Sequence, residues 1–118
     1  MEDFSDLVGK PYGAGGRGPD FYDCYGLVIE AARRSGKPLR DVVYSDHALE
    51  LSDKYAPTLN VEKISGPEKH AVIEMEYKGE IHIGFCLDEK TFIHTTSIQG
   101  VRISRIGVLP IRNFYRIK

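Results

Sequence analysis

The hydrophobic positions of this chain change their period partway along it. From Cys24 to Arg34 the apolar residues Tyr25, Val28, Ile29 and Ala32 recur at helical spacing. Asp23 suits the cap of that helix, because its carboxylate can accept from first-turn N–H groups and complements the positive dipole end. Arg33 and Arg34 fall in the last turn. Gly36 can close the helix just past its cap, and Pro38 prevents continuation. A second helix is expected over residues 46–55, ended by Pro57.

After Pro67 the period becomes two. Over residues 71–77, Ala71, Ile73, Met75 and Tyr77 alternate with Val72, Glu74 and Glu76, and Lys78-Gly79-Glu80 reads as a hairpin turn. Over residues 81–87, Ile81, Ile83, Phe85 and Leu87 share one face, and His82, Gly84 and Cys86 the other. Asp88-Glu89-Lys90 turns the chain into residues 91–95, where Phe92 and His94 lie on the face opposite Ile93. Strands over 101–106 and 114–117 complete the set. This order predicts an α+β fold with N-terminal helices packed on an antiparallel sheet of about five strands.

Composition narrows the classes. The 118 residues are 42% hydrophobic and 28% charged, with 16 Lys and Arg against 17 Asp and Glu. That fits a single globular domain over residues 1–118, without linker or repeat. No basic field is available for neutralising nucleic-acid phosphates. No apolar run approaches the roughly 20 residues that span a bilayer. The acidic N-terminus carries no apolar signal-peptide stretch, so synthesis in the cytoplasm is expected. Two cysteines without a CxxC pair make neither a disulfide framework nor an ordinary zinc ribbon. The five glycines and two prolines of residues 9–19 form a shaped loop, read as one wall of a cleft.

The candidate chemistry lies in Cys24, His82 and His94. With a three-residue loop at 88–90, Leu87 pairs with Thr91 and Gly84 stands opposite His94. His82 is then diagonal to His94 on the same face, roughly 7–8 Å away at Cα, within reach of a ring leaning over glycine. A thiol at a helix N-terminus is expected to favour thiolate. Cys24, His82 and His94 thus suit a nucleophile, base and orienter, with helix-end N–H groups as an oxyanion hole. The competing readings are a buried structural thiol, structural strand histidines, and a zinc site adding Cys86. The last is disfavoured, because His82 and Cys86 lie roughly 13 Å apart along one strand. No metal or cofactor is called for. His47 and His70 read as surface or structural residues, and Cys86 as a core thiol.

These residues resemble a known family. Lys10-Pro11-Tyr12, Gly15-Gly16-Arg17 and Asp23-Cys24-Tyr25-Gly26-Leu27-Val28 are similar to the opening of the NlpC/P60 cysteine peptidases. His82-Ile83-Gly84 and Phe92-Ile93-His94, followed by Gly100-Val101, are similar to its two histidine strands, in the same order. The resemblance runs from Val8 to the C-terminus and thins between Asp41 and Lys69. Gly15-Gly16-Arg17, Tyr25 and Phe114-Tyr115-Arg116 resemble the short branch found with phage and prophage tail genes. The resemblance implies a papain-like fold and cleavage of peptide amides in bacterial peptidoglycan stem peptides, often between D-γ-glutamate and a diamino acid. It implies Cys24 as nucleophile, His82 as general base and His94 as its orienter. Tyr12, Arg17, Asp23 and Tyr25 would meet substrate. Tyr25 stands where many members carry serine, and the usual Gly-Asp before the first core strand is replaced by Gly66-Pro67-Glu68.

Three functions follow. The first is a peptidoglycan endopeptidase or amidase, associated with a phage or prophage tail and its proteins. The second is a non-catalytic tail component on the same fold. The third is an acyltransferase using the same thioester, disfavoured because some papain-like relatives place histidine before cysteine, and here cysteine comes first.

Overall fold

The computed structural model describes residues 4–37, 39–40 and 60–118. The helix expected over 46–55 and His47 lie outside the described residues. Helix α1 (Cys24–Arg34) is followed by β1 (Val61–Ile64), β2 (Val72–Tyr77), β3 (Glu80–Cys86), β4 (Thr91–Thr96), β5 (Gly100–Arg105) and β6 (Ile111–Ile117). The six strands form one sheet in the order β1-β6-β2-β3-β4-β5, with every pairing antiparallel. The α+β layout is as the periodicity predicts. The sheet has one strand more than expected, because β1 pairs with the distant β6.

Both ends of α1 form as the sequence implies. The Asp23 side chain accepts from Gly26 N–H at 2.6 Å. At the other end, Gly36 (φ 73°) adopts the left-handed conformation that glycine allows without Cβ strain. Lys37 N–H then reaches Ala32 O at 2.8 Å, and Gly36 N–H reaches Arg33 O at 3.1 Å. This pattern satisfies carbonyls that the helix leaves open.

The turns fix the strand register. Lys78 and Gly79 both have positive φ, and Tyr77 pairs with Glu80, so the β2–β3 hairpin has a two-residue loop. At the β3–β4 turn, Asp88 accepts from the N–H groups of Lys90 and Thr91, each at 2.7 Å. Leu87 N–H closes the loop onto Thr91 O at 2.9 Å, in the register predicted.

The sheet buries both faces. On one, Tyr25, Leu27, Val28, Ala31 and Ala32 of α1 share a core with Val72, Ile83, Phe85, Ile93, Val101 and Tyr115. On the other, Ala71, Ile73, Met75, Cys86, Phe92 and Phe114 form a second cluster. Glu74, which alternates with the apolar residues of β2, is buried and accepts from Asn113 Nδ2 at 3.0 Å. A shift of register between Glu74 and Met75 opposite β6 accompanies this contact.

Candidate active site

The glycine loop clamps the start of α1. Gly16 O accepts from Asp23 N–H at 3.1 Å. It lies so close to Gly26 that an added Cβ would stand 1.9 Å from it. Arg17 donates through Nη1 to Asp23 Oδ1 at 2.9 Å and to Gly16 O at 3.0 Å. The same Asp23 oxygen therefore holds both the first helical turn and the loop. Cys24 is the first residue of the helix.

Helix α1 packs against β3 and β4. Those strands pair at Phe85↔Ile93 and Cys86↔Phe92, whereas β2 and β3 form six pairs from Val72↔Phe85 to Tyr77↔Glu80. Strand parity assigns the N–H directions. Cys86 N–H points to β2, reaching Ala71 O, and Leu87 N–H points to β4. Ile83 shares Leu87's direction. Past the end of the β3–β4 ladder its N–H meets the Cys24 sulfur instead. The thiol thus packs with the helix-side core and feels the N–H of Ile83, the residue after His82, where the strand pair opens.

The histidines meet on the other face of the same opening. The continuing register sets Gly84 opposite His94, and a Cβ on Gly84 would lie 3.3 Å from that of His94. With no side chain there, the rings meet edge to face at a centroid distance of 5.1 Å. His82 Nε2 and His94 Nδ1 are 2.9 Å apart. His94 Nε2 is 2.8 Å from Ser104 Oγ. The Tyr77 ring flanks His82 at 5.5 Å and the Phe92 ring flanks His94 at 4.5 Å.

Burial decides the charge states. It lowers the titration of both imidazoles, and for His94 the charge of His82 and that of Arg102 add to the effect. Both rings are therefore uncharged at neutral pH. Burial, with the Asp23 carboxylate adding to it, pushes the Cys24 thiol up to about 11. The N–H groups of Ile83, Tyr25 and Cys24 pull the other way and lose. The expected thiolate at the helix N-terminus is thus corrected: burial and Asp23 outweigh the helix end. Cys86, fully buried, is pushed up to about 12 by the same cause, with Asp88 and Glu68 adding to it.

The remaining candidates separate. Tyr12 is 39% exposed and bridges to Tyr22 beside the helix start. Arg17 is partly exposed. Asp23 is buried under its two bonds. Tyr25 is 0% exposed, with its ring in the helix core and its hydroxyl donated to Arg40 O. Its expected contact with substrate is therefore corrected: it is a packing residue. Two groups escaped the sequence reading, the Ile83 N–H and Ser104. Among the described residues, no cluster of three or more His, Cys, Asp or Glu is arranged to hold a metal ion.

Solved structures share this architecture. NlpC2 and NlpC1 from Trichomonas vaginalis match with TM-scores of 0.63 each, at 17% and 18% identity over 96% of this chain. An NLP/P60 family protein similar to lipoprotein from Staphylococcus aureus gives 0.66 at 20% identity over 94%. The chain spans 44%, 41% and 37% of those three proteins. The NlpC/p60 domain of the peptidoglycan hydrolase SagA is covered over 90% of its length, with TM-score 0.63 and 18% identity. No curated protein matches the chain. At these identities the likeness is one of fold, and the fold is papain-like α+β. The NlpC/P60 family pattern matches residues 9–113, so this chain belongs to the NlpC/P60 family.

Proposed function

We propose that this domain is a cysteine peptidase hydrolysing amide bonds in peptidoglycan stem peptides. The observation that carries the reading is the convergence on β3: a helix-end thiol lies against Ile83 N–H, and the next residue, His82, is hydrogen-bonded to His94. His82 presents Nε2 to His94, so Nδ1 is its remaining ring nitrogen. Uncharged at neutral pH and carrying its N–H on Nε2, the ring leaves Nδ1 bare to take a proton. Cys24 gives its proton to His82 as sulfur attacks the amide carbon. The oxyanion forms beside N–H groups of the helix start. The imidazolium then returns the proton to the leaving amine, leaving a thioester. Water, deprotonated by His82, hydrolyses the thioester and frees the thiol. His94 holds the ring and shares its positive charge. Tyr12 and Arg17 are the side chains we assign to substrate.

A phage or prophage tail setting remains part of the proposal on motifs alone. Within the fold those motifs have local tasks. Arg17 holds Asp23, Phe114 and Tyr115 are core residues, and Arg116 pairs with Glu68 at 2.7 Å.

The test is digestion of purified muropeptides with mass spectrometry of the products. Wild type should split a stem peptide with gain of one water, and Cys24→Ala should leave it intact while folded. Intact muropeptides with wild type would overturn the reading in favour of a non-catalytic component. An aminolysed product, formed with an added amine acceptor in place of water, would favour acyl transfer.

A further inference from the structure

We infer that Ser104 is a positioning residue that selects the tautomer of His94 and so keeps Nδ1 of His82 bare, an inference resting on the catalytic reading of Cys24 and His82. Three groups form one chain: His82 Nε2 to His94 Nδ1 at 2.9 Å, and His94 Nε2 to Ser104 Oγ at 2.8 Å. Each neutral imidazole has one N–H and one bare nitrogen, so the chain has two directions. In one, His94 donates from Nε2 to the serine oxygen. Its bare Nδ1 then accepts from His82 Nε2–H, and His82 Nδ1 is free to take the thiol proton. In the other, Ser104 donates to His94 Nε2, His94 Nδ1–H donates to His82 Nε2, and His82 Nδ1 carries a proton. That second form has no base.

Ser104 makes the first direction accessible. His94 is buried, and its Nε2–H needs an acceptor on β5. Without the hydroxyl, the productive form strands a buried N–H, while the unproductive form strands only a lone pair. Orphaned buried N–H groups are the rarer and costlier defect. Proton transfer widens the difference. An imidazolium at His82 donates strongly through Nε2, and only the first direction offers a bare nitrogen to receive it. Register explains why Ser104 is at hand. β4 and β5 pair Phe92 with Ser104 and His94 with Arg102, which leaves Ser104 diagonal to His94 on the same face.

The experiment reads ring nitrogens directly. Protein labelled with 15N-histidine is prepared as wild type, Ser104→Ala and Ser104→Thr, and protonated and bare nitrogens are separated by their shifts at neutral pH. Wild type should show His94 protonated at Nε2 and His82 at Nε2. Ser104→Ala should move a measurable fraction of His94 to Nδ1, and Ser104→Thr should restore the wild-type pattern. On muropeptides, Ser104→Ala should lower kcat about tenfold with KM unchanged, the rate equivalent of one weakened buried hydrogen bond. Threonine should rescue it. Identical tautomers in wild type and Ser104→Ala overturn the inference, whether or not activity falls. A wild type inactive on muropeptides overturns the proposed function instead, while the nitrogen shifts still decide the role of Ser104.

Discussion

The two ends of β3 differ in one respect that determines their chemistry. At the Cys86 end the ladder to β4 is closed, Phe92 and Ile73 cover the face, and the thiol is sealed. At the His82 end the ladder has opened, and the N–H that would bond β4 meets the Cys24 sulfur. Both thiols are pushed upward by burial, so neither is distinguished by a ready-made thiolate. Cys24 is distinguished by its surroundings: the N–H groups of Ile83, Tyr25 and Cys24 itself draw its titration down against burial, and the residue before Ile83 carries an uncharged imidazole. On the proposed reading, the reactive centre is a place where strand pairing stops and backbone donors are released.

The largest expected effect follows from that view. Folded His82→Ala should lose about 10³-fold or more in kcat, the size of a general-base contribution. His94→Ala should lose less, and His94→Asn less again, because an amide still holds the His82 ring. A folded His82→Ala variant with near-wild-type turnover on muropeptides would sink the comparison, since the open end would then owe nothing to its imidazole.

Much of this was legible in the sequence. The limits of α1, the Asp23 cap, the Gly36 closure and the β3–β4 register follow from local signals: helical spacing, a capping carboxylate, a glycine past the cap and a three-residue turn. β1 was not legible, because Val61–Ile64 has four residues and its partner, β6, lies some fifty positions along the chain. The start of β6 at Ile111 was hidden by the register shift against β2. The Cys24 charge state was misread because a helix end is local and visible, whereas burial is tertiary. Tyr25 was assigned to substrate from its place in the motif, but helical geometry turns it into the core. Ser104 was within reach: the parity argument that set Gly84 opposite His94, applied to the 97–99 turn, sets Ser104 diagonal to His94.

Labelling sharpens the contrast between the thiols. Cys24 is partly exposed and Cys86 fully buried, so iodoacetamide should modify Cys24 about a hundredfold faster, since Cys86 requires local opening. Peptide mapping after timed alkylation measures the ratio. The Cys24 rate should climb with pH beyond 9, as a thiol pushed up to about 11 demands. A plateau reached by pH 7 would mean that thiolate is formed at rest.

A smaller effect tests the border between the two ends, where the last closed pair meets the opening. A methyl group at Gly84 would stand 2.9 Å from Ile93 O and 2.8 Å from the Phe92 ring. The carbonyl belongs to the ladder and cannot rotate away, so the strands must part. Gly84→Ala should cost about 1–3 kcal/mol, as overfilled cores do, read as a lower denaturant midpoint. Unchanged stability would show that the ladder is already loose beside the histidines and that the two ends of β3 are alike.

The last effect is gradual and concerns the dryness of the open end. Burial lowers the titration of both His82 and His94 in the folded state, while an unfolded histidine titrates near 6.5. Below that pH the unfolded chain binds protons that the folded one refuses. This contribution to stability is therefore complete above about pH 6.5 and declines as pH falls, by up to about 1.4 kcal/mol per pH unit for each histidine, until the folded rings titrate. Carboxylates held low by arginine, such as Glu30 beside Arg33 and Glu68 beside Arg116, also lose stability in acid. Their window opens only near the ordinary carboxylate range, leaving pH 6.5 to 5 to the histidines. Urea unfolding across that interval should show the midpoint falling with pH, and the double variant His82→Asn/His94→Asn should flatten the slope. A wild-type midpoint constant from pH 6.5 to 5 would mean that both rings accept protons in the folded state. The open end of β3 would then be wet, and the uncharged base on which the catalytic reading depends would be absent over the lower part of its pH range.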